Sequence, residues 1–308
     1  MEKIIHPFDY PDRIERYLEK LKALNLENTN YFQLTKEIDE NLGMMPFSGI
    51  CIKKGTELFR ARKNSHLKGK MFSALSELTI RIDEEITTFG RANTPCKGIF
   101  CCSLDQYTAA REVTQWQLDD FGALIRKGVA FFNYHPFTQF MTISKWKTKE
   151  DLYFFTAFND NEFEVGTSND LIINQFKLRY KFDKERYKIS KAMVEAFFQS
   201  EFEKQTINGQ FDYYFSAYYS SIVYNMAKHI SLAGLIYKSV AFDLEGFNFA
   251  IPRNKLKSLE FVSADFCYTY NSNGKEDFSN SKILVAPSYR ATLDENYRLI
   301  WEDVWGKT

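Results

Sequence analysis

The strongest constraint on the fold is a change of hydrophobic period along the chain. Apolar residues recur at helical spacing near the amino terminus and again in residues 215–230, whereas the segments between them are short and extended. One helical face in the second half is continuous over four turns and consists of Phe215, Tyr218, Tyr219, Ile222, Val223, Met226 and Ile230. We expect this helix to run to Ala233-Gly234, and the mixture of periods predicts an α+β fold.

The first fifty residues are predicted to be a helical extension. After Pro11-Asp12, apolar residues repeat at the spacing of an amphipathic helix, and a second set continues that spacing. The two sets are Ile14, Tyr17, Leu18 and Leu21, and then Leu34, Ile38 and Leu42. We therefore divide the chain into an extension, residues 1–50, and a main domain, residues 51–308.

The main domain is predicted to contain a series of short strands. A helix is expected around Ser73 to Glu85, and two helices are expected in the second half of the chain, of which that of residues 215–230 is the longer. The strand candidates are 57–62 (ELFRAR), 98–103 (GIFCCS), 128–134, 151–158, 235–242, 257–270 and 295–305. Because the sequence shows no repeat, low-complexity tract or flexible linker, one domain is the economical interpretation.

Composition limits the classes of partner. The chain carries 40 Lys and Arg residues against 40 Asp and Glu residues, for a formal net charge of zero. Non-specific binding to nucleic acid or to an anionic membrane needs a basic field that this balance does not provide. No stretch is long and apolar enough for a signal peptide or a membrane span, so we expect a cytoplasmic protein without nucleic-acid or membrane partners.

The cysteines are predicted to be reduced thiols. Five cysteines are an odd number in a long chain without a secretory signal. Cys96, Cys101 and Cys102 are close in sequence, but adjacent strand residues point to opposite faces and no second ligand pair stands at zinc spacing. The sequence therefore predicts no metal site.

Two arginines share one face of a predicted strand. In residues 58–62 (LFRAR), alternation places Phe59 and Ala61 on one face and Arg60 and Arg62 on the other. Guanidinium groups match the oxygens of phosphates and carboxylates, so this face is a candidate for binding a pyrophosphate or a carboxylate. A solvated strand face is the alternative interpretation.

Two further blocks complete a family pattern. Residues 90–95 (GRANTP), 98–103 (GIFCCS) and 108–112 (TAARE) form one, and residues 234–240 (GLIYKSV) followed by 246–248 (GFN) form the other. In order and spacing these blocks, with the aromatic-Arg pair of residues 59–60, resemble the RES domain family, which is named for Arg, Glu and Ser residues. The resemblance covers roughly residues 55–255, and the co-occurrence of the blocks makes it more specific than any single motif.

The resemblance implies a fold, an activity and a partner. RES proteins are similar in fold to ADP-ribosyltransferase toxins, which implies a mixed or antiparallel β core with flanking helices. Family members are toxins that consume NAD by hydrolysis or phosphorolysis, or that ADP-ribosylate a target, and many are paired with an Xre-type antitoxin. NAD would thus be a substrate, and the chain would be a glycosidase-type hydrolase or phosphorylase of a toxin–antitoxin system.

The resemblance also assigns site residues. It places the family's glutamate on Glu112 and its serine on Ser239, and we predict Glu112 and Arg91 to be catalytic. The residues predicted to contact NAD are Arg60, Arg62, Arg91, Asn93, Phe100, Tyr237 and Ser239. Ala92, Phe100 and Lys238 differ from shorter members, which suits a longer branch of the family and leaves the reaction subtype open.

The chemistry of NAD cleavage fits these residue types. Breaking the nicotinamide–ribose bond passes through an oxocarbenium-like transition state that a carboxylate such as Glu112 can stabilise. Two arginines can hold the pyrophosphate, a serine can hold a ribose or amide oxygen, and an aromatic ring can stack on nicotinamide.

Several alternatives stay open at this level. Glu112 alone could be an exposed helix residue, and Ser239 alone a strand serine. The activity is NAD hydrolysis or phosphorolysis, protein ADP-ribosylation with residues 159–170 as the acceptor-docking loop, or NAD binding without catalysis. The helical extension is a surface for homo-oligomerisation, a lid, or a docking site for an antitoxin.

Overall fold

The structure is a computed structural model of the 308-residue chain. It describes Phe8 and residues 10–43, 47–64, 70–113, 139–158, 174–176, 185–228, 231–242, 244–271 and 283–304. The predicted strand at 128–134 and the predicted docking loop at 159–170 lie outside these residues.

Five α-helices are present in the described residues. They are α1 (Pro11–Lys22), α2 (Tyr31–Leu42), α3 (Gln106–Val113), α4 (Glu185–Phe202) and α5 (Tyr214–Met226). Both predicted amino-terminal helices are confirmed, and their ends follow from sequence. Pro11 stands at the first turn of α1, the Asn30 side chain accepts from Gln33 N at 3.1 Å to cap α2, and Gly43 ends α2 with φ 63°.

Two helix predictions need correction. The expected helix around Ser73 to Glu85 is wrong, because this region contains only two short 3₁₀ turns, Leu75–Leu78 and Asp83–Glu85. The Glu77 carboxylate accepts from the backbone N–H groups of Ser73 and Ala74 at 2.8 and 2.9 Å and caps the first turn. The carbonyls of Glu77 and Thr79, which further helical turns would use, instead accept from the guanidinium groups of Arg62 and Arg60.

The second correction concerns the end of α5. This helix ends at Met226 and does not reach Ala233-Gly234. A strand already begins at Leu232, because residues 232–238 pair with a strand on each side, and backbone groups in a ladder cannot also continue a helix.

Eleven strands of the described residues form one mixed sheet, in the order β11-β10-β9-β4-β2-β3-β8-β7-β5-β1-β6. All neighbouring pairs are antiparallel except β5 and β7, which are parallel. The strands are β1 (Ser48–Ile52), β2 (Glu57–Lys63), β3 (Ile99–Ser103), β4 (Gln139–Thr148), β5 (Leu152–Thr156), β6 (Asn174–Phe176), β7 (Leu232–Lys238), β8 (Phe247–Pro252), β9 (Leu259–Asn271), β10 (Ile283–Leu293) and β11 (Leu299–Asp303). The fold is α+β, as predicted, and five of the strands, β1, β4, β6, β8 and β10, were not predicted from the sequence.

The sheet has a narrow junction in its middle. Strands β2 and β3 are joined through one pair of residues, Phe59 and Ser103, whereas β2 pairs with β4 over seven residues and β3 with β8 over five. The sheet therefore consists of two well-paired halves that meet where β3 leaves β2, and helix α3 begins three residues after this point.

The two faces of the sheet are covered differently. On one face the amino-terminal helices α1 and α2 share an apolar core with α4 and α5, so the extension packs onto the main domain. On the other face, side chains such as Phe100, Trp146 and Phe249 form a second core. No helix among the described residues is long and apolar enough to cross a membrane.

Candidate active site around Glu112

Helix α3 is fixed at its start by an aspartate. Asp105 Oδ1 accepts from the backbone N–H groups of Tyr107 and Thr108 at 2.9 and 2.8 Å, and Oδ2 accepts from Thr108 Oγ1 at 2.7 Å. These bonds satisfy amide groups that the first helical turn leaves open. Since α3 has only eight residues, this cap sets the position of Glu112 in its last turn.

A glycine lets α3 approach the turn between β7 and β8. A Cβ atom on Gly246 would lie 2.7 Å from Thr108 Cγ2 and closer still to Thr108 Oγ1. Any side chain at Gly246 would therefore displace α3. The motif glycine brings the helix that carries Glu112 against the segment that carries Ser239 and Asn248.

Glu112 is held by two donors from that segment. Ser239 Oγ donates to Glu112 Oε1 at 2.5 Å, and Asn248 Nδ2 donates to the same oxygen at 2.6 Å. Ser239 and Asn248 are buried, at 0% and 3% exposure, whereas Glu112 is exposed. Oε2 makes no hydrogen bond to the described residues, so only one of the two carboxylate oxygens is held by side chains of this segment.

A second serine fixes the orientation of Asn248. Ser103 Oγ donates to Asn248 Oδ1 at 2.8 Å, and Ser103 is 1% exposed. Since a carboxylate can only accept, the amide must present Nδ2 to Glu112 and Oδ1 to Ser103. Ser103 pairs with Asn248 across β3 and β8, so the register of the sheet builds this chain of hydrogen bonds.

Cys101 and Tyr237 complete what we call the Glu112 cluster: Ser103, Cys101, Glu112, Tyr237, Ser239 and Asn248. The Cys101 side chain is accessible to solvent, yet burial raises the pKa of its thiol, as does the nearby charge of Glu112. Burial also raises the pKa of Tyr237 well above its ordinary value, with Cys101 and Glu112 adding to the effect.

Arg91 lies at the edge of this cluster. Its charge lowers the pKa of Tyr237 and so opposes the effect of burial on that phenol, while the guanidinium itself lies 5.6 Å over the ring of Tyr213. Its two Nη groups donate to the carbonyls of Phe202 and, at 3.0 Å, of Lys204, just beyond the end of α4. Arg91 therefore ties the 90–93 turn to α4 while part of its charge reaches the cluster.

The 90–93 turn is itself tightly built. The backbone groups of Gly90 and Asn93 bond to each other in both directions, at 3.0 and 3.3 Å, and Tyr224 Oη donates to the Ala92 carbonyl at 2.8 Å. The Asn93 Nδ2 group is directed at the carbonyls of Thr88 and Thr94, at 3.4 and 3.3 Å. In this structure Asn93 shapes the turn that presents Arg91.

Three predicted residues lie on the opposite face of the sheet. Phe59 pairs with Ser103 and packs with α3, so the next residue, Arg60, points away from Glu112. Arg60 lies 4.9 Å over the ring of Phe100, which is fully buried, and Arg62 lies 5.8 Å over Phe72. The predicted alternation in β2 is confirmed, but the structure does not bring Arg60, Arg62 or Phe100 to the carboxylate.

These two arginines bind backbone carbonyls. Arg60 donates to Cys101 O at 2.7 Å and to Thr79 O at 3.1 Å, and Arg62 donates to Glu77 O. Burial lowers the pKa of Arg62 to about 10, with the neighbouring charges of Arg60 and Arg81 contributing. Their evident role here is to hold residues 77–79 against the sheet.

The structure thus unites Glu112, Ser239, Tyr237 and, at the edge, Arg91, and it adds residues that the sequence did not single out. Asn248 stood in the motif without an assigned role, and the period of β3 could have pointed to Cys101 and Ser103 as partners on one face. No group of His, Cys, Asp and Glu side chains suited to a metal ion occurs in the part of the chain that the structure describes.

Comparisons with known proteins add no relative. Models of known protein families, curated protein sequences and solved structures give no significant match to this chain. The functional argument therefore depends on the sequence blocks and on the geometry around Glu112.

Proposed function

We propose that this protein cleaves the nicotinamide–ribose bond of NAD, as the resemblance to RES toxins implies. The observation that carries the proposal is the meeting of distant blocks at one carboxylate: Ser239 and Asn248 are 127 and 136 residues from Glu112 in sequence, yet both donate to its Oε1. The two sequence blocks that resemble the family pattern are therefore in contact at Glu112, the residue that the resemblance identifies as catalytic.

The geometry suits stabilisation of a cation. In the proposed reaction the C1′–N1 bond breaks, its electron pair goes to the nicotinamide ring, and positive charge develops on the ribose. Glu112 Oε1 is fixed by two donors, so Oε2 can face the ribose and stabilise that charge without reorienting. Water or phosphate then bonds to C1′, and hydrolysis releases one proton.

Arg91 is the arginine that supports phosphate binding in this arrangement. A guanidinium has five N–H donors, and the two carbonyls held by Arg91 leave others for a ligand. Tyr237 lies within the cluster but is 6% exposed and packs 5.3 Å from the ring of Phe202, so its contact with NAD stays a prediction. The NAD-contacting roles of Arg60, Arg62, Asn93 and Phe100 stay predictions.

The proposal extends to fold and setting. A mixed, mainly antiparallel sheet with flanking helices supports an ADP-ribosyltransferase-like arrangement. We propose a bacterial toxin that depletes NAD in the cytoplasm and is held inactive by an Xre-type antitoxin.

The test is nicotinamide release from NAD by the purified protein, with and without phosphate. Glu112→Gln keeps an oxygen for Ser239 and Asn248 but removes the charge, so we expect release to fall at least 100-fold while the fold persists. Glu15→Gln, on the exposed side of α1, is the matched control and should release nicotinamide like the wild type.

The products identify the acceptor. ADP-ribose in both buffers indicates hydrolysis, and ADP-ribose 1-phosphate in phosphate buffer indicates phosphorolysis. If the folded wild-type protein released no nicotinamide in either buffer, the proposal that it cleaves free NAD would be overturned. Labelling of proteins with ADP-ribose would then indicate a transferase, and binding without either product an inactive NAD-binding protein.

A further inference from the structure

A recess lies between the carboxyl ends of α1 and α4, and none of its lining residues belongs to the Glu112 cluster. Its volume is about 420 Å³, within the range of small-molecule sites. The apolar wall consists of Leu21, Leu24, Leu26, Phe211 and Phe215. The polar wall consists of Lys22, Asn25, Glu27, Glu201, Lys204, Asn208, Gly209 and Asp212. We call this recess the α1–α4 cavity.

The wall contains a buried carboxylate. Glu201 is only 6% exposed, and its Oε2 lies 2.5 Å from Lys204 Nζ without a hydrogen bond of acceptable direction. Burial raises the pKa of Glu201, the pairing with Lys204 lowers it, and the charge of Asp212, which lines the same cavity, raises it. A buried carboxylate with a single poorly directed partner is costly, so a further cationic partner would stabilise it.

The charges that surround this carboxylate leave an excess of negative charge. Glu27, Glu201 and Asp212 face Lys22 and Lys204 across the cavity, and Lys22 is also paired with Glu19, outside the wall, at 2.7 Å. A negative recess with an apolar wall attracts a molecule that carries one positive charge on an apolar body.

The backbone on this side of the cavity is held in place. Arg91 donates to the backbone carbonyls of Phe202 and Lys204. Phe202 follows Glu201 directly, and Lys204 is the other member of the buried ion pair. The position of Glu201 and Lys204 is thus fixed by a contact outside the cavity, and a ligand would meet groups that are already oriented.

We propose that the α1–α4 cavity binds a small organic cation, with its ammonium group at Glu201 and Asp212 and its apolar body against the leucine and phenylalanine side chains. This site is independent of the proposed NAD cleavage, so either can fail without the other.

Calorimetric titration of the full-length protein with n-hexylammonium chloride tests the proposal. We expect saturable binding at one site, at least tenfold weaker binding of hexan-1-ol, and no binding of hexanoate at the same ionic strength. Equal affinity for the alcohol and the ammonium ion would overturn the proposal, because it would show a purely apolar recess. Absence of saturable ammonium binding would overturn it as well.

Two variants with opposite expected effects locate the site. Glu201→Gln should weaken n-hexylammonium binding at least tenfold, and Lys204→Gln should strengthen it, because the ligand then replaces the lysine that pairs with the buried carboxylate. Glu15→Gln should bind like the wild type. An unchanged affinity in Lys204→Gln would overturn the assignment, which keeps the test decisive even where Glu201→Gln does not fold.

Discussion

Substitution of Gly246 by alanine would test whether close packing places Glu112. A Cβ atom at this position would lie 2.7 Å from Thr108 Cγ2 and closer still to Thr108 Oγ1, while ordinary contact begins at 3.4 Å, so α3 must retreat by at least about 0.7 Å. The backbone φ of Gly246 is not positive, so alanine adds no conformational strain and the cost is steric.

The displacement has a calculable effect on the site. Overpacking of this size costs about 1–3 kcal/mol. A retreat of about 0.7 Å along the contact would lengthen the 2.5 Å bond from Ser239 to Glu112 to about 3.2 Å, where a hydrogen bond between oxygens is weak. The variant should therefore lose both stability and the fixed position of the carboxylate.

Urea unfolding followed by tryptophan fluorescence measures the first effect. Thr108→Ala removes the two nearest of the three clashing atoms, so the double variant Gly246→Ala with Thr108→Ala should be more stable than the sum of the single changes by at least about 1 kcal/mol. Additive free energies of unfolding would refute the reasoning, because they would show that Gly246 and Thr108 do not compete for space.

Three further outcomes are expected. Asn248→Ala should lower the free energy of unfolding by roughly 2–3 kcal/mol, because two hydrogen bonds of a buried side chain are lost. A double-mutant cycle with Glu112→Ala that shows no coupling energy would contradict this expectation. Iodoacetamide should label Cys101 but not Cys102 in the native protein by mass spectrometry, and since burial raises the Cys101 pKa above 9.0, a labelling rate that levels off below pH 9 would be contrary evidence. Burial raises the pKa of Tyr31 to about 12, so the stability contributed by the neutral Tyr31 phenol is complete below pH 10 and is lost as pH rises toward 12. In urea unfolding, the Tyr31→Phe variant should therefore lose less stability over that pH interval than the wild type.

Local sequence determined the elements whose pattern is complete within one segment. The helical stripes of α1, α2 and α5 and the alternation in β2 were predicted because side-chain direction follows directly from a period of 3.6 or 2. The region from Ser73 to Glu85 was predicted wrongly because its spacing suits a helix, whereas Arg60 and Arg62, on a distant strand, bind the carbonyls of Thr79 and Glu77.

The direction of a face required the tertiary structure. Alternation already separates Phe100 from Cys101, but only the packing of α3 shows that the Cys101 face carries Glu112 and that the Phe100 face is a closed core. In the same way, the sequence shows that Arg60 and Arg62 share a face, and only the fold shows that backbone carbonyls use their donors.

The sequence by itself determined that this is an α+β chain with blocks at Arg91, Glu112 and Ser239 that resemble one family pattern. Only the tertiary structure decided that Ser239 and Asn248 meet one oxygen of Glu112, and that Ser103 orients the amide. The physical reason is that residues more than 100 positions apart are brought together by sheet register and by the approach of α3 to Gly246, which depend on many contacts at once.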